Sequence, residues 1–462
     1  MKRSLVRFPE PLWLELLEHC FGGNNGAQEQ VAFGYASMLS GADRNVLLVR
    51  RLNLITQDGL ERQSQHFVEV AEAAKVAAVL QARRAGEHLI EIHTHPGDLA
   101  ADDVQFSAFD EEAQRAFHRY LGWKLPDRSW AALVLGQRSA AGALWHPSAD
   151  RPEDLEVWSV GSQLVEHSAA SAAPTVAPRF ERQVAAFGAQ GQRALARLRV
   201  GVVGLGGLGA AVVQFLAYLG LVDFVLIDPD LVEETNLNRL VGAFPFDVGR
   251  PKVAVYAELL KKLNPNCSVE ALRLDARDER ALAALASCDV LIGTVDNDGA
   301  RLVLSELAAR CLMPYFDAAS DVLVRDGEVS EVGGRVCCWW PSMPCLNCRG
   351  ELDRDEVRAS LRSSHEAELA KRLGYAAGAG LPSPSVVHVN GHIAASLVGE
   401  LHALVTAWRA PHPYLSYRSS PGLERPRHAE VQAGCPVCGV CLASGGLEEF
   451  SRFSTAERGT AA

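Results

Sequence analysis

Val200-Gly201-Val202-Val203 runs directly into Gly204-Leu205-Gly206-Gly207-Leu208-Gly209, and an apolar stretch continues to Val222. An apolar strand that enters a glycine turn and leaves as a buried helix, here starting near Ala210, constrains the fold more than any other feature. Glycines let the backbone approach a phosphate, and the first N–H groups of the helix meet its charge. The next strand, Phe224-Val225-Leu226-Ile227, ends at Asp228, where a carboxylate is placed to bond a ribose hydroxyl. Strand, turn and helix alternate from Leu198 through Asp289-Val290-Leu291-Ile292-Gly293, so the expected architecture is α/β, a Rossmann-like, doubly wound parallel sheet. Up to this point an NAD or FAD site, and hence an oxidoreductase, fits as well as an ATP site. Asn236-Leu237-Asn238-Arg239 and Gly249-Arg250-Pro251-Lys252 bring in Arg239 and Lys252, two cations that hydride transfer does not need and phosphoryl chemistry does. Asp296, in Gly293-Thr294-Val295-Asp296-Asn297, follows another strand where a carboxylate can hold Mg²⁺.

Cys345-Leu346-Asn347-Cys348 and Cys435-Pro436-Val437-Cys438 are two Cys-x-x-Cys pairs far apart in the chain, a pattern that suits a closed, structural zinc site better than a redox dithiol. Cys441 is a further thiol without an assigned role.

From about Arg179 to Gly439 these segments resemble the ThiF-type adenylyltransferases and the ubiquitin-activating enzymes that share their fold. The resemblance implies that Gly204, Gly206, Gly207 and Gly209 shape the ATP loop and that Asp228 binds the ribose. It further implies that Asn236 positions the nucleotide, Arg239 and Lys252 bind the triphosphate, and Asp296 takes Mg²⁺. Arg179-Phe180-Glu181-Arg182-Gln183 resembles the place from which the family lends an arginine to a neighbouring subunit, so Arg182 implies a homodimer. Many relatives carry a cysteine in the crossover segment after the first Cys-x-x-Cys pair, whose thiol takes the acyl group from the adenylate. This chain has none from Arg349 to Gly434. The expectation is therefore an adenylate handed directly to a partner. Cys337 and Cys338 read as buried packing on a strand, and Ser363 and Ser364 lie in the crossover region.

In the first half, Ile92-His93-Thr94-His95-Pro96 ends an apolar strand beginning near Leu89, and Ser107-Ala108-Phe109-Asp110 reads as a helix start. Histidines two apart on a strand point the same way, so both reach one ion, with Asp110 as a third ligand and a fourth position open, as a hydrolytic zinc requires. Glu29 stands just before a strand beginning near Val31, placed to act as a general base. The set resembles the JAMM/MPN metallopeptidases over residues 15 to 145, which implies that Glu29 is the base, that His93, His95 and Asp110 are zinc ligands, and that Ser107 stabilises the oxyanion. The spacer from Gly97 to Phe106 is longer than the pattern and contains Asp98, Asp102 and Asp103. The resemblance implies cleavage after the C-terminal glycine of a ubiquitin-like protein.

The chain has 462 residues, too many for one ordinary core. The expected division is a metallopeptidase-like α/β domain over 1–160, a linker about 147–178 around Ser168-Ala169-Ala170-Ser171-Ala172-Ala173-Pro174, an adenylation domain over 179–442 and a flexible tail over 443–462. Within the first, His66 to Arg83 reads as helical. A formal net charge of -11 without a basic stripe argues against nucleic acid. The N-terminus lacks a secretory pattern and no apolar run is long enough to span a bilayer, so the expected location is cytoplasmic, with no membrane partner. The combined expectation is ATP-dependent activation of the C-terminal glycine of a ubiquitin-like protein, with zinc-dependent cleavage at the same glycine. The expected setting is a bacterial conjugation pathway with a conjugating enzyme, of the kind that serves antiviral defence. The alternatives are a sulfur-carrier pathway with a sulfurtransferase, and a nucleotide-binding scaffold that does not turn over.

Overall fold

The computed structural model describes residues 3–23, 27–41, 43–96, 103–168, 176–325, 328–362, 384–420 and 422–453. The chain divides into two units, Met1–Ala173 with Leu442–Gly445 and Pro174–Cys441 with Gly446–Ala462.

The first unit carries strands β1 (Arg3–Pro9), β2 (Val31–Ser40), β3 (Arg44–Leu54), β4 (Leu60–Gln63), β5 (Val68–Val70), β6 (His88–Thr94), β7 (Trp130–Leu135), β8 (Ala140–Trp145), β9 (Glu153–Asp154), β10 (Glu156–Val160) and β11 (Leu164–Glu166). Its helices are α1 (Glu10–Phe21), α2 (Glu72–Ala85) and α3 (Ala108–Lys124). Nine strands form one mixed sheet in the order β11-β10-β1-β3-β2-β6-β7-β8-β9, and β4 and β5 pair separately. β7 reads Trp-Ala-Ala-Leu-Val-Leu and is buried throughout, the continuous apolar run expected of a strand covered on both faces. β6 alternates instead: Ile90 and Ile92 join an apolar cluster with Phe8, Leu16 and Leu133, and the period of two turns Glu91 and His93 to the other face. α2 ends at Gly86, whose φ of 67° is left-handed, a conformation glycine adopts without a Cβ penalty.

Three sequence expectations are corrected here. The helix expected from His66 begins only at Glu72, because Val68–Val70 pairs with β4. The linker expected over 147–178 contains three strands. β10 lies parallel to β1 with Val157 opposite Val6, a pairing more than 150 residues long that local composition does not reveal. The tail expected beyond residue 443 is ordered through a 3₁₀ turn at Leu447–Phe453, with Phe450 buried and Arg452 paired with Glu306.

In the second unit α4 (Glu181–Arg197) precedes β12 (Arg199–Val203), α5 (Gly207–Leu219), β13 (Asp223–Ile227), α6 (Lys252–Leu263), β14 (Ser268–Leu272), α7 (Glu279–Ala286), β15 (Val290–Gly293) and α8 (Asp298–Arg310). β16 (Tyr315–Arg325), β17 (Glu328–Trp339), α9 (Leu346–Arg349), α10 (Arg354–Ser360), α11 (Val387–Thr406), β18 (Tyr414–Arg418) and β19 (Leu423–Pro426) follow. The strand order is β14-β13-β12-β15-β16-β17-β18-β19. The first five strands are parallel, as expected, but β17, β18 and β19 are antiparallel, so the sheet is mixed and not wholly parallel. The chain order reverses around β12, and the crevice at the carboxyl ends of β12, β13 and β15 is where ligands bind in such sheets. Among the described residues no helix is long and apolar enough to cross a membrane.

Candidate active sites

At that crevice lies a pocket of about 320 Å³ lined by Gly204, Gly206, Asp228, Asp230, Lys252, Asp275, Arg277, Thr294 and Asp296, among others. Gly204 has a φ of 89° and no room for a side chain, since a Cβ would come within 2.8 Å of the Thr294 carbonyl oxygen. The Thr294 hydroxyl donates to the Gly204 oxygen at 2.6 Å and contacts the Val203 oxygen at 3.2 Å, holding the loop down. Gly206 caps α5 without a side-chain partner, so the first-turn N–H groups and the positive end of the helix face the pocket.

Asp228 is 4% exposed, and its two oxygens accept the backbone N–H groups of Leu205 at 2.6 Å and Asp230 at 2.8 Å. Burial pushes its carboxyl above the ordinary range, with Lys252 and the two N–H groups pulling the other way. Lys252 is the first residue of α6; its ammonium lies 2.8 Å from Asp230 and 3.9 Å from Asp228. Asp296 is exposed at the rim.

Five of the expected residues lie outside this lining: Gly207 and Gly209, which form the first turn of α5, and Arg239, Asn236 and Arg182. Arg239 packs its stem against Gly207 and donates to the Thr235 carbonyl at 2.7 Å and the Asn238 side chain at 3.1 Å. Asn236 is buried and caps its own 3₁₀ turn, accepting from the Glu233 N–H at 3.3 Å. Arg182 is exposed in the first turn of α4.

The sequence reading missed Arg277, which grips Asp275 with two nitrogens and donates to the Ser360 carbonyl at 2.7 Å. Burial of Asp275 is outweighed by these bonds, which hold its carboxyl below the ordinary range. No motif spacing marks Arg277; only the fold brings it to the glycine loop. Cys337 and Cys338 are buried on β17, and burial pushes the Cys337 thiol up to about 12 and raises Cys338 as well. Such thiols are inert. Ser363 and Ser364 lie outside the described residues, as do Asp98 and Asp102.

Cys345, Cys348, Cys435 and Cys438 converge, all buried. Their sulfurs are 3.8 Å (345 to 348), 3.7 Å (345 to 435) and 3.5 Å (348 to 438) apart. Four sulfurs at about 2.3 Å from a tetrahedral zinc would be about 3.8 Å apart, so the donor set and its spacing fit the ion. The N–H groups of Asn347 and Gln432 point at Cys435 and Cys348, as outer partners of thiolates do. Cys441 is buried beside the Pro436 carbonyl at 3.0 Å.

In the first unit His93, His95 and Asp110 also converge. His93 Nε2 lies 3.4 Å and His95 Nε2 3.2 Å from the two Asp110 oxygens. About 3.4 Å is the edge of a tetrahedron with N and O ligands near 2.1 Å from zinc. His93 Nε2 is moreover buried without a hydrogen-bond partner, the orphaned atom that a metal would satisfy. Burial of Asp110 is opposed and outweighed by His93 and His95, which hold its carboxyl well below the usual range. Ser107 is the N-cap of α3 in a capping box: its oxygen accepts the Asp110 N–H at 3.2 Å and its own N–H donates to Asp110 at 2.7 Å. The hydroxyl hydrogen is left to serve another acceptor. Glu29 is 7% exposed in the same pocket. Burial raises its pKa, and His93 and His95 oppose the rise. Its backbone is pinned on both sides, with the N–H to Ser64 at 2.8 Å and the carbonyl to Gln63 at 2.8 Å. Glu29 thus places a carboxyl with a raised pKa in the pocket that His93, His95 and Asp110 line.

Compared with known proteins, the chain matches the ThiF family over residues 180–437. It is 33% identical over 161 residues to the SAMP-activating enzyme E1 of Haloferax volcanii, spanning 35% of this chain and 56% of that protein. To the molybdopterin-synthase adenylyltransferase of Escherichia coli it is 31% identical over 199 residues, 42% of this chain and 77% of that one. To the sulfur carrier protein adenylyltransferase of Thermus thermophilus it is 33% identical over 177 residues, 36% and 65% respectively. The chain thus spans little more than half of the Haloferax relative. Among solved structures, E. coli MccB with ATP aligns with a TM-score of 0.45 and 23% identity, over 57% of this chain and 75% of that one.

Proposed function

The chain belongs to the ThiF family, and from that premise we propose that its second unit adenylates the C-terminal carboxylate of a small carrier protein. The observation that carries the reading is the Gly204–Gly209 loop closed by Thr294, with Asp228, Lys252 and Arg277 around one pocket. A carboxylate oxygen attacks the α-phosphorus of ATP, the bond from that phosphorus to the bridging oxygen of the β-phosphate breaks, and pyrophosphate leaves with the electron pair. The products are an acyl-adenylate and pyrophosphate. Asp228 holds the ribose, Asn236 positions the nucleotide, and Lys252 releases Asp230 to meet the phosphates together with Arg239. Asp296 would hold Mg²⁺, which supplies neutralisation of phosphate charge.

Arg182 serves the pocket of a second copy in this reading. An exposed apolar patch supports the homodimer: Val241, Phe244, Phe246 and Val248 are all more than 40% exposed, and surfaces of this kind mark protein interfaces.

The relatives named as sulfur carrier protein and molybdopterin-synthase adenylyltransferases favour sulfur transfer over the conjugation setting. A ubiquitin-like partner, the reading drawn from the sequence, remains second, beside a relative named as a SAMP-activating enzyme E1. With no cysteine between Arg349 and Gly434, the adenylate passes to an acceptor outside this chain in either case.

We read the first unit as a zinc hydrolase acting on the same C-terminus, on the strength of the converging His93, His95 and Asp110 with Glu29 in the same pocket. Zinc there would supply Lewis acidity. Glu29 takes the proton of the water that attacks the carbonyl carbon, and Ser107 donates to the developing oxyanion; the carbon–nitrogen bond then breaks and the amine leaves with the proton that Glu29 returns.

ATP–pyrophosphate exchange that depends on an added carrier protein tests the adenylation. No exchange with any carrier whose tail ends in glycine would leave the nucleotide-binding scaffold as the better reading. Asp296→Ala is expected to abolish exchange and leave cleavage, and Glu29→Ala the reverse. Loss of both activities in either folded variant would contradict the division of labour.

A further inference from the structure

The pocket around His93, His95 and Asp110 runs deeper than those residues require. It encloses about 690 Å³, and its lining continues to Glu91, Ala132, Ala113 and Lys75. Strand alternation accounts for Glu91, which lies two residues before His93 on the same face of β6, roughly 6.6 Å along the strand. Its lateral neighbours in the sheet are Phe33 and Ala132, both buried, and the small side chains of Ala132 and Ala113 leave the space beside it open.

Among the described residues the Glu91 carboxylate makes no hydrogen bond and no ion pair; Lys75 and His93 act on it only through space. A carboxylate set in an apolar wall is unfavourable unless neutralised, and the side left open to it is the pocket. The surrounding charge agrees: Glu29, Glu69, Glu91 and Asp110 line the pocket against the single Lys75. Glu69 already faces Arg62 at 3.7 Å, while Glu29 and Asp110 belong to the metal chemistry. Glu91 is the one carboxylate there with no assignment.

We infer that Glu91 is the floor of a subsite for a lysine or arginine side chain of the substrate, on a residue within two positions of the bond held at His93, His95 and Asp110. The inference rests on the hydrolase reading of this pocket. The separation of Glu91 from His93 matches the reach of an extended basic side chain, and the apolar lining at Val31, Val68 and Val70 suits its methylene stem. The competing occupant is the ammonium of Lys75 swung inward.

The test uses zinc-loaded, full-length protein carrying Glu29→Gln, so that ligands bind without turnover. The probes are Gly-Gly peptides with arginine or norleucine at each of the flanking positions in turn, measured by calorimetry. Arginine at one position is expected to tighten Kd by roughly 10- to 100-fold over norleucine, the scale of one charged hydrogen bond in a partly buried site. Adding Glu91→Gln is expected to bring the two peptides within about threefold of each other, with zinc content unchanged; Glu91 is only half-buried, and removing an unpaired charge there does not threaten the fold. Glu91→Lys should turn the preference toward glutamate. Equal binding of all arginine and norleucine peptides, or an arginine preference that survives Glu91→Gln, overturns the subsite. Cleavage is read separately with Glu29 intact: zinc-dependent hydrolysis without an arginine preference keeps the hydrolase and removes the subsite. An arginine preference with no hydrolysis does the opposite.

Discussion

Gly209→Ala tests the phosphate loop where its geometry is tightest. A Cβ at this position would stand 2.0 Å from the Gly204 carbonyl oxygen and 2.6 Å from the Thr294 hydroxyl. Carbon and oxygen ordinarily approach no closer than about 3.3 Å, so the loop must move by more than about 1 Å. That shift pulls Gly204 away from the Thr294 hydroxyl, which now donates at 2.6 Å. Overpacking at about 1–3 kcal/mol and a lost hydrogen bond at about 1 kcal/mol together predict a destabilisation of roughly 2–4 kcal/mol.

Gly206→Ala is the control. No atom lies within 4 Å of its would-be Cβ and its φ is -70°, so stability should change by less than about 0.5 kcal/mol. Yet Gly206 lines the pocket, and a methyl group there keeps the backbone from a phosphate. The assay pairs urea unfolding of the second unit with calorimetric binding of a non-hydrolysable ATP analogue and Mg²⁺. Gly209→Ala should lose both stability and binding, Gly206→Ala binding alone. A Gly209→Ala protein of unchanged stability, or a Gly206→Ala protein that binds the nucleotide normally, would refute the assignment of this loop to phosphate.

Metal analysis should find two zinc ions per chain, with Cys345→Ser removing one and His95→Ala the other; a Cys345→Ser protein that keeps both would place the second ion elsewhere. Glu29→Gln should retain zinc and lose cleavage of a carrier-protein precursor by about 10²-fold or more, as removal of a general base does. Asp275, held below its usual 3.8 by Arg277, contributes stability that is present above that value and is lost as the pH falls through the lower folded one. The side chain is partly exposed, so the effect stays under about 1 kcal/mol, and Asp275→Asn should flatten the acid limb of the stability curve. Phe246, 74% exposed, should be the weak point of a homodimer: Phe246→Asp is expected to give monomers in sedimentation analysis, and an unchanged dimer would move the interface elsewhere.

The parts of this protein legible in its sequence are those whose chemistry is local. A glycine run between an apolar strand and an apolar helix is complete within ten residues, because backbone freedom and helix-end charge both act at that range. His93, on β6, and His95, one residue past its end, could be paired from strand alternation, and the helix start at Ser107 to Asp110 could be read from its residues. The Cys-x-x-Cys pairs named the four thiols that converge, although bringing Cys345 within 3.7 Å of Cys435 takes the fold of the second unit.

Tertiary structure decided what depends on distant partners. β10 looked like a linker because its stability comes from pairing with β1, and the turn at Leu447–Phe453 looked like a tail because it is held by Glu306 and Arg310. Arg277 entered the pocket at the glycine loop, and Arg239 turned onto its own loop, through packing that no spacing encodes. Glu91 is the sharpest instance. In sequence it is one glutamate of a strand, and only the sheet that sets it between Phe33 and Ala132 makes it an unpaired charge facing a pocket, since burial is a property of neighbours.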